Sequence, residues 1–285
     1  MRTASFGFPP FTRAVKQLVY INVAVFLSFF ILDRIASLKP FAERLRYTVE
    51  LVPFAVIHGY PDFPFPHVWQ VITYSFMHAN VLHILFNMLG LWMFGSTLEQ
   101  DWGAKRFREF YFFCVVGAAL LTMVFSYAHL LGMSPETPTA GASGGVYGLI
   151  VAFGILYAEA RIFIYGIFPI KAKYFAMIWV ALAVFGALQE RGGIANIAHL
   201  GGALFGFIYL KALPRRGMQF AVSEGYFGLR NRYHKWKRRQ AAKKFQVYMR
   251  QHDRNEFFDE HGNYRDPNDA KRKDDGEGRG GKWVN

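Results

Sequence analysis

The chain has 285 residues, 53% of them hydrophobic and 18% aromatic, and it sets 33 Lys and Arg against 20 Asp and Glu. Nearly all the apolar runs precede Leu213 and the remainder is polar and charged, which excludes one uniformly mixed soluble domain and separates a membrane part from a basic tail. The single cysteine, Cys114, stands inside an apolar run between Phe113 and Val115, so neither a disulfide framework nor a cysteine-based metal site can be drawn.

A short N-terminal segment, residues 1–17, leads into the first of six stretches apolar enough to be membrane helices. They are Leu18 to Ile35, Val81 to Thr97, Phe107 to Leu131, Ala142 to Ala160, Phe175 to Leu188 and Ala195 to Leu213. Several approach the spanning length of about 20 residues. The fifth is short by itself, and Ile167, Phe168 and Ile170 lengthen it. The first has signal-peptide character, but no small-residue cleavage site follows it, so it reads as a retained anchor. The expectation is an all-α, polytopic membrane protein with a six-helix domain over 18–213 and a basic, partly disordered cytoplasmic tail over 214–285.

The long connection from Ala36 to Asn80 forms an outer loop. Its Pro- and aromatic-rich middle, from Pro53 through Phe63, Phe65 and Trp69, either rests at the membrane interface, where aromatic rings are favoured, or packs on the bundle. Orientation follows from the cations. Arg13 and Lys16 precede the first stretch, Lys105, Arg106 and Arg108 lie between the second and third, and Arg161, Lys171 and Lys173 between the fourth and fifth. Arg215 and Arg216 follow the sixth. The opposite connections are poorer, with no Lys or Arg from Gly132 to Gly141 and only Arg191 from Gln189 to Ile194. The positive-inside rule then places both termini in the cytoplasm, despite Lys39, Arg44 and Arg46 in the outer loop. The tail carries the run Arg230 to Arg239, whose charge suits anionic lipid beside a membrane better than nucleic acid.

With that orientation the second, fourth and sixth helices start at the outer face, and polar residues gather there. His78, His83 and Asn87 mark the start of the second, Ser143 opens the fourth, and His199 lies a few residues into the sixth. Ionisable groups at membrane depth are costly and face a bundle interior or a water-filled cavity. Singly, each has a bland reading, a carbonyl-bonded His or a Ser that permits close packing. Ser143, however, follows a turn-rich segment and lies within Gly141-Ala-Ser-Gly-Gly-Val-Tyr-Gly148, at a helix entrance where backbone amides can stabilise an oxyanion. His199 is the available base, and Gly202 with Gly206 gives its helix a small-residue face for close approach. His83 and Asn87 share a helix face and can supply further oxyanion donors. A metal held by His78, His83 and His199 is the competing reading, disfavoured because neither an HExxH motif nor a carboxylate ligand accompanies them.

The combination of His78-Ala-Asn-Val-Leu-His83-Ile-Leu-Phe-Asn87, Gly141 to Tyr147 and Ala198-His-Leu-Gly-Gly-Ala-Leu-Phe-Gly206 resembles the rhomboid proteases, over about Leu18 to Leu213. The resemblance implies a compact six-helix fold with a Ser143/His199 dyad in a water-filled cavity, and an oxyanion hole from His83, Asn87 and the Ser143 amide. It puts His78 near the site, Tyr147 against the catalytic histidine and Trp179 beside a substrate gate. It implies no metal and no organic cofactor. Glu99 resembles the acidic residue that closes the second helix, whereas no Trp-Arg pair of the kind many members carry is found in the first loop. The implied function is intramembrane serine endopeptidase cleavage of membrane-anchored substrates near the outer face, in a bacterial inner (cell) membrane. The alternative is a noncatalytic rhomboid-like protein that binds transmembrane helices; loss of the serine or histidine would mark it, and both are present.

Overall fold

The computed structural model describes residues 9–60, 65–164, 168–189, 194–212 and 230–240. Phe63, Ile167, Arg191, Leu213, Arg215 and Arg216 lie outside that set, as does the tail apart from 230–240. Where described, each of the six apolar stretches forms helix along most of its length. The chain is a multi-helix membrane protein.

Helix α1, Arg13–Arg34, buries Ala14, Val15, Leu18, Asn22 and Phe29 along one stripe and leaves Tyr20, Ile21, Leu27 and Ile31 outward. Its first turn is capped from another helix. Glu99, itself buried, accepts hydrogen bonds from the amides of Ala14 (2.8 Å) and Val15 (2.9 Å) and from the Thr12 hydroxyl (2.5 Å). A carboxylate there satisfies amides with no intrahelical acceptor and complements the positive end of the helix dipole. Glu99 therefore ties α1 to the end of the second apolar stretch as well as standing near its close.

The outer loop holds three short helices, α2 (Lys39–Val49), α3 (Pro53–His58) and α4 (Gln70–Thr73). It is anchored without a Trp-Arg pair. Trp69 Nε1 donates to the Thr48 carbonyl (2.7 Å), and Thr73 donates to the Val49 carbonyl (2.8 Å). The buried Gln70 amide accepts from the Val52 N–H (3.0 Å) and donates to the Tyr47 carbonyl (2.7 Å). Of the two alternatives for the loop's middle, packing on the bundle holds for Pro53, Ala55 and Val56, which are buried, while Phe65 and Val68 are exposed.

Helix α5, Val81–Gly90, starts on Asn80, whose side chain accepts from the His83 amide (2.9 Å). It passes through a π-helical segment, Leu91–Gly95, into α6, Ser96–Tyr127, which is interrupted at Gly103 (φ 78°, ψ 157°). Only glycine adopts that backbone without strain, and there the run changes direction. After α6 come α7 (Ser143–Leu156), α8 (Ala172–Gln189) and α9 (Ile194–Ala212). α7 is central: Gly144 through Ile150 are all buried, among α5, α6, α8 and α9.

One expectation is met in part and another is corrected. Among the described residues, three helices are long and apolar enough to cross a membrane, rather than six: Arg13–Arg34, the 47-residue run Val81–Tyr127, and Ala172–Gln189. The second and third stretches fall in one run because helix resumes directly after the break at Gly103, and Ser143–Leu156 is apolar but short. The apolar character of α9 is diluted by Asn196, His199 and Lys211. Among the described residues the fold is all-α apart from one hairpin. Arg161–Ile164 (β1) and Phe168–Lys171 (β2) pair as an antiparallel hairpin, so Phe168 and Ile170 do not lengthen the fifth helix. β-Branched and aromatic residues suit a strand, and Pro169 suits a short edge one. Glu159 pairs with Lys171 (2.7 Å) and Lys173 (2.5 Å) beside the hairpin, and their hydrogen bonds hold its carboxyl down to about 2.

The cap on α1 yields a measurable expectation. Glu99→Ala removes a charged acceptor from three buried or half-buried donors and should cost about 2–5 kcal/mol, each charged hydrogen bond being worth roughly 1.5–3 kcal/mol. Glu99→Gln, which keeps one acceptor oxygen, should lose less. Thermal unfolding in detergent micelles ranks the two; equal stability of wild type and Glu99→Ala would remove the cap from the account.

Candidate active site

The first turn of α7 has no capping side chain, since the residue before it is Ala142. Its first helical bond runs from the Val146 amide to the Ala142 carbonyl (3.1 Å), so the amides of Ser143, Gly144 and Gly145 precede the helical ladder. The approach to this turn is held from outside. Leu51 and Thr139 exchange backbone hydrogen bonds of 2.9 and 2.8 Å, and the Gly141 amide donates to the Tyr74 carbonyl (3.0 Å).

At the head of α7, Ser143 Oγ lies 2.8 Å from His199 Nε2 of α9. Helix backbones that almost touch bring this about. A methyl group on Gly202 would come within 1.8 Å of the Gly144 carbonyl oxygen, and one on Gly206 within 2.9 Å of Gly148 Cα. Glycines four apart on both helices thus face each other. Gly202 and Gly206 are expected from the sequence; Gly144 and Gly148, at the same spacing, carry an equal signal that the sequence reading passes over.

The imidazole is oriented by stacking. The Tyr147 ring, one turn along α7, lies 4.3 Å from that of His199 at 7° between planes, and Trp179 of α8 meets Tyr147 edge-on at 6.1 Å. His199 Nδ1 has no protein partner among the described residues, so no carboxylate stands behind the ring. Trp179 is 40% exposed, at the outer surface of α8.

From α5, His83 approaches the same turn. A methyl group on Gly141 (φ 131°) would lie 2.8 Å from His83 Nε2 and 3.6 Å from Ser143 Oγ, so the two side chains flank one point of the backbone. Asn87, one turn further along α5, is 5% exposed, and its Nδ2 has no acceptor among the described residues. His78 is equally buried in the turn before α5, with its ring 5.0 Å from that of His83. Among the described residues no three His, Cys, Asp or Glu side chains converge as metal ligands would.

A family model described as the rhomboid domain matches residues 66–216, more than half of the chain. The chain belongs to the rhomboid family. Among its relatives are the mitochondrial rhomboid protein 1 of Saccharomyces cerevisiae, 29% identical over 142 residues (49% of this chain, 40% of that protein), and RHOMBOID-like protein 1 of Arabidopsis thaliana, 32% identical over 170 residues (58% and 38%). The rhomboid protease GluP of Bacillus subtilis is 27% identical over 183 residues (58% and 33%). The rhomboid chain thus spans two fifths or less of the length of these relatives. The matched residues contain α4 through α9, and so every side chain described at the head of α7.

The glycine contact gives the next expectation. Gly202→Ala must push α9 away from the Gly144 carbonyl, a backbone atom that cannot rotate aside, whereas Gly206→Ala meets a less severe contact. Overpacking of this kind costs about 1–3 kcal/mol. Gly202→Ala should be the less stable of the two by thermal unfolding, and its Ser143 should react more slowly with a fluorophosphonate. The reverse order would mean that the Gly144 contact does not set the spacing of the helices.

Proposed function

We propose that the protein is an intramembrane serine endopeptidase that cleaves membrane-anchored substrates near the outer face. The observation that carries this reading is the 2.8 Å contact between Ser143 Oγ and His199 Nε2 at a helix start whose amides are uncapped. Six helices cross the bilayer in this reading: α1, α5 with the start of α6, the remainder of α6, α7, α8 and α9. Cations in the connections put both termini on the cytoplasmic side, in a bacterial inner membrane. A helix as short as α7 suits a thin, water-accessible centre.

His199 Nε2 accepts the Ser143 hydroxyl proton as the oxygen attacks the scissile carbonyl. Negative charge develops on the carbonyl oxygen. It is met by the Ser143 amide and by the side chains of His83 and Asn87, donors already in place before reaction. Collapse of the tetrahedral intermediate breaks the C–N bond, and His199 returns the proton to the leaving amine. Water from the outer cavity then attacks the acyl-enzyme, with His199 again as base. Stacking on Tyr147 does the orienting that an acidic third member does in a triad. Trp179, which meets Tyr147 edge-on and is partly exposed, stands beside the gate for a substrate helix in this reading. No cofactor takes part in this sequence of steps. The rival reading, a noncatalytic binder of transmembrane helices, leaves the Ser143–His199 contact and the uncapped amides without a use.

Ser143→Ala and His199→Ala should each abolish cleavage of a single-span substrate in proteoliposomes while leaving unfolding temperatures close to wild type. Near-normal turnover in either variant would falsify the assignment. Asn87→Ala should slow the reaction by about 10²- to 10³-fold, the usual cost of one oxyanion donor, without ending it. An unchanged rate would take Asn87 out of the site.

A further inference from the structure

The described part of the tail, residues 230–240, is helical and exposed along its whole length. Six of its eleven residues are Lys or Arg and none is acidic. Its two large apolar side chains are adjacent on one face: Tyr233 and Trp236 are 57% and 58% exposed, with ring centroids 6.2 Å apart. At about 100° per residue, Gln240 falls between them on the same face. Arg232 and Arg239 border that face on one side, Arg230 and Lys237 on the other, while Lys235 and Arg238 stand opposite. An aromatic ridge between two cationic rows has no use in water. It matches the boundary of an anionic bilayer, where Trp and Tyr rings settle among headgroups and flanking cations reach lipid phosphates and carboxylates.

We propose that this helix lies flat on the surface of an anionic leaflet, with Tyr233 and Trp236 among the headgroups and its cations on anionic lipid. The tether favours that occupant. Seventeen residues, 213–229, join the helix to α9, so it stays within about 60 Å of its own membrane even if they are fully extended. A surface this close acts at a high effective concentration, which a free polyanion does not share. Charge alone would serve nucleic acid equally well; the ridge bordered by cations distinguishes lipid.

The test uses the full chain carrying Gln240→Cys, labelled with an environment-sensitive fluorophore. Cys114 is buried against Gly148 and should stay unlabelled. The protein is reconstituted into nanodiscs of phosphatidylcholine alone or enriched in phosphatidylserine, with nitroxide-labelled lipid as quencher. Strong quenching is expected in anionic discs and weak quenching in neutral ones. It should fade as salt rises, because the screening length falls from about 10 Å at 0.1 M to about 3 Å at 1 M. Exchanging Arg232 and Lys237 for Gln should weaken binding about 25-fold, some fivefold for each cation. Tyr233→Ala with Trp236→Ala should leave attraction to anionic discs but move the label out of reach of the quencher. Equal quenching in neutral and anionic discs overturns the proposal. So does a label that ignores lipid charge yet responds to an added RNA oligomer, which would make the helix a nucleic-acid surface.

Discussion

The membrane part depends on one backbone contact, the approach of α9 to α7 at Gly202 and Gly144. In a bilayer the lipid tails are as apolar as leucine, so helices gain little by hiding apolar surface from them and associate through close packing. Glycines four apart on both helices allow backbones to touch, and the touching sets every other distance at the site. Only at that separation does an imidazole on α9 meet a hydroxyl on α7 at 2.8 Å, and only then do the Tyr147 and His199 rings stack at 4.3 Å. Side chains large enough to add van der Waals area would have separated the groups that meet.

A second constraint acts on the turn that leads into α7. Backbone polar groups at membrane depth must find partners, since no bulk water satisfies them. The turn before α7 finds them in the loop between α1 and α5: the Gln70 amide fixes Val52 and Tyr47, Leu51 pairs with Thr139, and Gly141 donates to the Tyr74 carbonyl. The loop therefore sets the conformation of the chain two residues before Ser143. What it leaves unpaired is equally informative, because the helix itself opens on uncapped amides next to His83. Donors are satisfied on the approach and spare at the place where charge can develop.

Packing elsewhere is inside out, as a lipid solvent requires. α8 buries Ala172, Ala176, Ala183 and Ala187 and turns Met177, Leu182, Phe185 and Leu188 outward. α8 too is held by close packing, with Ala176 and the Ala172 carbonyl set against Gly154 of α7. At the other edge α1 is held by few contacts and one strong device, the Glu99 carboxylate across its first turn. A buried charge in this position is tolerated because three donors surround it.

How much of this was legible in the sequence differs by element. Composition and apolar runs determined that the chain is a multi-helix membrane protein, because burial in lipid demands long apolar segments whatever their arrangement. Residue chemistry named Ser143, His199, His83 and Asn87, since ionisable and hydroxyl groups among apolar neighbours stand out without any geometry, and the resemblance to rhomboid proteases added Tyr147. Local pattern did less well where neighbours decide. The run of Phe168 and Ile170 was equally apolar as helix or strand, and its pairing with Arg161–Ile164 comes from hydrogen bonds between two separate segments. Trp69 and Gln70 looked like part of an aromatic loop, yet their partners, Thr48, Val52 and Tyr47, lie some twenty residues earlier. Glu99 was visible as an acidic residue near a helix end, but the amides it caps are 84 and 85 positions away. The sequence by itself determined which groups are present and which segments are apolar, because polarity and length are local properties. Only the tertiary structure decided which of them touch, because a hydrogen bond or a glycine contact depends on separations of a few ångströms between segments that local pattern leaves free.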